Sequence, residues 1–217
     1  MWQSTCNVTF HNPIAISEAR ANANRMSFRH VILDRDGVLN YEAPEGSYVR
    51  EPAEFRWLPG ALEALALLRG AGLRLSVATN QAGVGRGLMT LAQLAAVHER
   101  MQTEAAAHGG ALDAVLYCPH APEEQCSCRK PAPGLIQAAL ARSGIAASDS
   151  IVVGDDRRDL EAAERAGVAA ALVRTGKGRH TEALLGNAAV PAYDDLQELA
   201  RAILTARPDT GGRRRGP

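Results

Sequence analysis

Three polar clusters in this chain each begin where a short apolar run ends. Asp34-Arg35-Asp36-Gly37 follows residues 30–33, Thr79-Asn80-Gln81 follows residues 73–78, and Gly154-Asp155-Asp156 follows residues 151–153. Two further runs of the same kind lie at 114–117 and 170–173. Short apolar runs bounded by turn or polar residues are how strands buried on both faces look. Between them, residues 60–69, 90–107, 134–142, 158–166 and 195–206 carry apolar positions at helical spacing. Alternation of strands and helices on this scale implies right-handed crossovers. The expected fold class is therefore α/β: a doubly wound, Rossmann-like, mostly parallel sheet flanked by helices, with small loop insertions. In such a sheet, ligands bind outside the carboxyl ends of the strands. Clusters distant in sequence are thus expected at one spot.

The chain has 217 residues, enough for one domain with a sizeable core. Twenty-four basic residues against 24 acidic ones, with 4% aromatics, disfavour a nucleic-acid binder or a cationic membrane-surface protein. No run approaches the roughly 18 apolar residues of a membrane span, and residues 1–25 lack the apolar centre of a secretory signal. A cytoplasmic protein is expected. Residues 1–27 read as a flexible N-terminal extension, 28–206 as the folded domain, and 207–217, with the run Arg213 to Arg215, as a disordered basic tail.

Asp34 and Asp36 are two positions apart at a strand end, which aims both carboxylates toward one cavity. Like charges so close call for a hard, oxygen-seeking cation such as Mg²⁺, and Asp155 brings a third carboxylate from another strand end. Asp156 and Asp159 stand close behind it. The plain alternative is that Asp34 and Asp36 only cap a turn before Gly37. Thr79 offers a hydroxyl and Lys130 an ammonium, the groups that the oxygens of a transferring phosphoryl need. Lys130 and Lys177 are the only lysines beside 22 arginines, so a compact point charge at 130 is read as wanted rather than drifted. Arg129 adds a fork for a second anionic group. Cys118, His120, Cys126 and Cys128 make a Cys₃His set within one loop, the donor set of a closed structural zinc site. Unmetallated thiols, or a disulfide between two of the three cysteines, are the alternatives. The Gly83-to-Gly87 run is weak evidence for a phosphate-cradling loop, and residues 175–178 lack the frame of a P-loop. His98, His108 and His180 are expected to be solvated.

Asp34-Arg35-Asp36-Gly37-Val38-Leu39-Asn40, Thr79-Asn80-Gln81, Cys128-Arg129-Lys130-Pro131 and Gly154-Asp155-Asp156 resemble, in order, the four motifs of the haloacid dehalogenase superfamily. The Cys₃His loop narrows the resemblance to the branch holding the D-glycero-D-manno-heptose 1,7-bisphosphate 7-phosphatases and the phosphatase domain of histidinol-phosphate phosphatase. It spans about residues 28–206. The resemblance implies Asp34 as nucleophile, through an aspartyl-phosphate, and Asp36 as general acid and base. It implies Mg²⁺ held by Asp34, Asp155 and the main-chain carbonyl of Asp36, and a transferring group bound by Thr79 and Lys130. Substrate contacts are expected from Asn80, Gln81, Arg129, Asp156 and the loop of Glu45, Gly46, Ser47 and Tyr48. A phosphorylated sugar, heptose bisphosphate, is the expected substrate, in the supply of nucleotide-activated heptose for lipopolysaccharide core. The five-residue gap between His120 and Cys126 matches the histidinol branch, which stays as the alternative. A zinc-stapled binding protein without catalysis is the remote one. No nucleic-acid or membrane partner is expected, and a monomer is.

Overall fold

The computed structural model describes residues 28–44, 46–186 and 190–206. The expected extension, the expected tail and Glu45 lie outside those residues. The chain runs β1 (His30–Leu33), α1 (Ala61–Gly70), β2 (Arg74–Asn80), α2 (Leu91–Ala107), β3 (Ala114–Cys118), α3 (Gly134–Ser143), β4 (Ser150–Gly154), α4 (Arg157–Arg165), β5 (Ala169–Val173), α5 (Gly178–Leu185), β6 (Ala192–Tyr193) and α6 (Leu196–Thr205). All six strands are parallel, in the order β3-β2-β1-β4-β5-β6.

Strand alternation divides the core in two. Val31 and Leu33 face the same side as Leu75, Val77, Ile151 and Val153, and pack on Leu65 and Leu68 of α1, Val97 and Met101 of α2, and Leu199 and Ile203 of α6. Ile32 and Val152 face the other way, against Ile136 and Ala139 of α3 and Ala162 and Ala163 of α4. Hence β1 and β4 are buried on both faces along their whole length, and β2 everywhere but Arg74 and Asn80 at its ends. Several helix starts are written in the sequence. Thr90 accepts from the Gln93 N–H at the start of α2, Asp156 from Arg158 N–H at α4, and Asp195 from Glu198 N–H at α6. Among the described residues no helix is long and apolar enough to cross a membrane.

Two elements escape the sequence reading. Strand β6 is only two residues long and sits at the sheet edge, too short for alternation to register. Helix α5 opens on Gly178, which reads as a turn. Strand β2 runs two residues beyond the expected end, so Thr79 and Asn80 lie inside the strand.

Candidate active site

The chain reverses its direction of winding between β1 and β4, which pair in register with Leu33 beside Val153. That switch point brings the next residue of each strand end, Asp34 and Asp155, together. A cavity of about 670 Å³ opens there, lined among others by Asp34, Asp36, Thr79, Asn80, Arg129, Lys130, Asp155 and Asp156. Carboxylate oxygens of Asp34, Asp155 and Asp159 lie within 4.8 Å of one another.

Lys130 reaches this cluster fully buried. Its Nζ donates to Asp34 Oδ1 at 2.9 Å, to Asp159 Oδ1 at 2.5 Å and to the Ala78 carbonyl at 2.8 Å. Its backbone is fixed by Asn80, whose Oδ1 accepts from Lys130 N–H and whose Nδ2 donates to Lys130 O, both at 3.0 Å. Burial disfavours the ammonium, but Asp159 and Asp34 together hold its pKa above the usual lysine value.

Asp155 is the group least at ease. Burial first, then the charges of Asp34 and Asp159, pushes its carboxyl up to about 8. The Lys177 backbone N–H donates to its Oδ2 at 2.8 Å. Two glycines make room for it. A Cβ on Gly37 would stand 2.0 Å from Asp155 Oδ2, and one on Gly176 would stand 2.1 Å away. Both also carry positive φ, +82° and +53°, so glycine is required there twice over. An oxygen-only donor set in which burial and neighbouring carboxylates raise the proton affinity of Asp155 fits a hard divalent cation.

The Asp36 carboxylate is not part of that cluster. Arg35 donates to both of its oxygens at 2.9 Å, Asn40 Nδ2 to Oδ1 at 2.9 Å, and Gln81 Nε2 to Oδ2 at 2.8 Å. Burial raises its pKa, but the Arg35 guanidinium and the Asn40 and Gln81 amides outweigh that and hold it below the usual carboxylate range. Arg35 itself is buried and its Nη1 donates to His98 Nε2 at 3.1 Å. The expectation of a solvated His98 is therefore corrected. Burial and the neighbouring Arg35 push its pKa down to about 3, so it stands as a neutral acceptor.

The expected substrate contacts separate. Gly46, Ser47, Tyr48, Asn80, Arg129 and Asp156 line the cavity. Gln81 is buried, its Nε2 shared between Asp36 and the Thr79 hydroxyl at 2.9 Å, and it orients those groups rather than facing the cavity. The Asp156 carboxylate is held by Arg158 through Nε at 3.0 Å and Nη2 at 2.7 Å. The structure adds contributors that spacing does not single out. Asp159 joins the carboxylate cluster from the first turn of α4, four residues beyond Asp155. Arg35 sat in plain view between two acids. Lys177 acts through a backbone N–H that no side-chain pattern reveals, and the Thr175 hydroxyl donates to the Gly37 carbonyl at 2.6 Å.

Beside Lys130, Cys118 ends β3 and meets Cys126, Cys128 and His120 at 3.3–3.5 Å. Sulfur separations of 3.3–3.5 Å exclude a disulfide among them, since the bond is about 2.05 Å. Burial and the neighbouring thiols push Cys118 up to about 12, while Cys126, with bonds from Cys128 and the Arg129 backbone outweighing burial, drops to about 7. Three sulfurs and one imidazole nitrogen closed on each other are a donor set for zinc with no vacant position.

A parallel doubly wound sheet with a strand-end Asp at its switch point, a buried lysine and an oxygen-donor cluster defines a phosphohydrolase of the haloacid dehalogenase type. A family model described as HAD-hydrolase-like matches residues 127–199. The D-glycero-beta-D-manno-heptose-1,7-bisphosphate 7-phosphatase of Pseudomonas putida is 41% identical over 174 residues, 80% of this chain and 98% of its own length. The D-glycero-alpha-D-manno-heptose-1,7-bisphosphate 7-phosphatase of Mycobacterium tuberculosis is also 41% identical, over 182 residues, 83% of this chain and 94% of its own. The crystal structure of D,D-heptose 1,7-bisphosphate phosphatase from B. bronchiseptica, complexed with magnesium and phosphate, superposes with a TM-score of 0.77 at 40% identity, covering 82% of this chain and 99% of that one. The chain belongs to the family of D-glycero-D-manno-heptose-1,7-bisphosphate 7-phosphatases, which are phosphoric monoester hydrolases.

Proposed function

We propose that this protein removes the 7-phosphate of D-glycero-D-manno-heptose 1,7-bisphosphate through an aspartyl-phosphate on Asp34. The observation that carries the reading is the clustering of the Asp34, Asp155 and Asp159 carboxylates at one cavity, with the Lys130 ammonium bonded to Asp34 and Asp159. Asp34 takes its contacts from Lys130 and from Arg35 N–H on Oδ1, which among the described residues leaves Oδ2 unbonded to act as nucleophile. Asp34, Asp155 and the Asp36 carbonyl are the groups that hold Mg²⁺, with Asp159 close enough to share it. When bound, the ion offsets the repulsion between an anionic phosphate and these carboxylates. Lys130 and Thr79 bind the transferring oxygens, Lys130 held in place by Asn80.

Asp36 protonates the leaving oxygen and then takes a proton from the attacking water. At rest it is held ionised, which suits the second duty. The approach of a phosphate dianion raises its proton affinity by like-charge repulsion and suits the first. Arg129 faces the non-reacting end of the substrate, in keeping with a second phosphate rather than a cationic amine. The product, heptose 1-phosphate, suits a following nucleotidyl transfer in the cytoplasm. Residues 28–206 suffice for the reaction, as a monomer, without a nucleic-acid or membrane partner.

The test is kcat/KM for heptose 1,7-bisphosphate against histidinol phosphate, with Mg²⁺. Preference for the bisphosphate is expected. Preference for histidinol phosphate overturns the substrate, and unchanged phosphate release by Asp34→Asn overturns the nucleophile.

A further inference from the structure

Six cationic side chains line the cavity, and four of them are already matched by carboxylates. Arg35 lies on Asp36 at 2.9 Å, Lys130 on Asp34 at 2.9 Å, Arg158 on Asp156 at 2.7 Å, and Lys177 on Glu42 at 2.6 Å. Among the described residues, the other two, Arg86 and Arg129, touch neutral oxygens only. Arg86 Nη1 donates to the Tyr48 hydroxyl at 3.0 Å, and Arg129 Nη1 donates to the His120 carbonyl at 3.4 Å. A charged side chain facing a cavity without a counter-charge is a site for an anion from outside.

The two guanidiniums share one mount. Gly85 N–H donates to the Pro119 carbonyl at 2.8 Å, and a Cβ on Gly85 would meet Ala121 N at 2.6 Å, so the turn carrying Arg86 lies directly on the Cys₃His loop. Arg129 reaches the carbonyl of the residue between those two. Tyr48 completes the group from the opposite loop, its ring so close to Gly83 that a Cβ there would stand 2.9 Å from Tyr48 Cγ. Since the Tyr48 oxygen accepts from Arg86, its own O–H remains available to donate.

We propose that Arg86, Arg129 and the Tyr48 hydroxyl form a subsite for the phosphate the enzyme does not cleave, and that Arg86 selects bisphosphates over monophosphates. This rests on the bisphosphate reading above and extends it to two residues that reading does not use. Two tests separate the claims. First, kcat/KM is measured for heptose 1,7-bisphosphate and for heptose 7-phosphate in wild type, Arg86→Met, Arg86→Lys and Tyr48→Phe. The bisphosphate-to-monophosphate ratio is expected to fall roughly 10- to 100-fold in Arg86→Met, as loss of a charge-assisted bond implies. It falls less in Arg86→Lys, which keeps charge but not the fork, and about 3- to 10-fold in Tyr48→Phe. A ratio unchanged in Arg86→Met overturns the subsite. Second, fructose 1,6-bisphosphate and fructose 6-phosphate are compared as competitive inhibitors of p-nitrophenyl phosphate turnover. A preference for the bisphosphate that Arg86→Met abolishes upholds the subsite even if heptose bisphosphate proves not to be a substrate. A preference equal in both proteins overturns it whatever the substrate.

Discussion

Two clusters of like-natured side chains stand side by side in this molecule, and they are assembled in opposite ways. The Cys₃His set comes from one short loop, Cys118 to Cys128, and closes on itself with its donor atoms turned inward. The carboxylate set draws Asp34, Asp155 and Asp159 from three elements and stays open to a cavity. The first is a local device that holds Lys130 two residues beyond its last cysteine. The second exists only because the sheet reverses direction between β1 and β4. A closed site stabilises the fold; an open one stores repulsion that a ligand relieves.

Catalysis is where the open cluster shows its largest effect. Asp34→Asn is expected to lower kcat by about 10⁴-fold or more, as loss of a nucleophile does, in a phosphate-release assay with saturating Mg²⁺. Stability separates the clusters by sign. Cys126→Ser removes a zinc donor and is expected to lower Tm by on the order of 10 °C, with less than about one zinc per chain by metal analysis. Asp155→Asn replaces a carboxyl that still holds its proton near pH 7 with a neutral amide of the same shape, so the metal-free protein is expected to hold its Tm, or raise it at higher pH, while losing Mg²⁺-dependent turnover. A fall in Tm as large as that of Cys126→Ser would break the comparison.

Asn80 links the two regions, since its amide brackets the Lys130 backbone from inside β2. Asn80→Ala leaves every charged group in place but frees the chain that presents the ammonium. A loss of roughly 10- to 100-fold in kcat/KM is expected, because misplacement of a positioning group by about an ångström costs that much. Equal activity in this variant would mean that Asp34 and Asp159 hold Lys130 unaided.

The same contrast governs what could be read without coordinates. The Cys₃His loop and the strand-end clusters are visible because residue type and spacing, or residue type and a preceding apolar run, carry them. Parallel strands are legible when both faces are buried, as at Val31 to Leu33, and illegible when they shrink to the two residues of β6. Side chains whose task is to hold another side chain were misplaced. The family resemblance sets Gln81 among the substrate contacts, yet it is buried under Asp36. His98 reads as solvated from its helical, polar context, yet it is buried and backs Arg35. Residues 175–178 read only as a stretch that lacks the P-loop frame, and nothing in that pattern shows that the Lys177 backbone N–H steadies Asp155. Such roles depend on which distant residue lies opposite, and spacing along one segment does not contain that.

The smallest effect concerns pH. Asp155 sits at about 8 and Asp159 at about 6, both above the ordinary carboxyl value of 3.8. A carboxyl raised in the folded state binds protons more tightly there than in the unfolded chain. Its stabilising contribution is present below about pH 4 and is lost as pH climbs toward the folded value. The metal-free protein is therefore expected to lose a few degrees of Tm from these groups between pH 5 and 8.5. Mg²⁺ binds only the ionised form, so its stabilisation is expected to grow over the same interval and level off above about pH 8. Thermal melts at several pH values, with and without Mg²⁺, read this directly. In Asp155→Asn the steeper part of the slope is expected to disappear, because of the two raised carboxyls it is Asp155 that titrates near pH 8. A slope identical in wild type and Asp155→Asn would assign the pH dependence to groups outside the open cluster and leave its carboxylates no more strained than the thiols beside them.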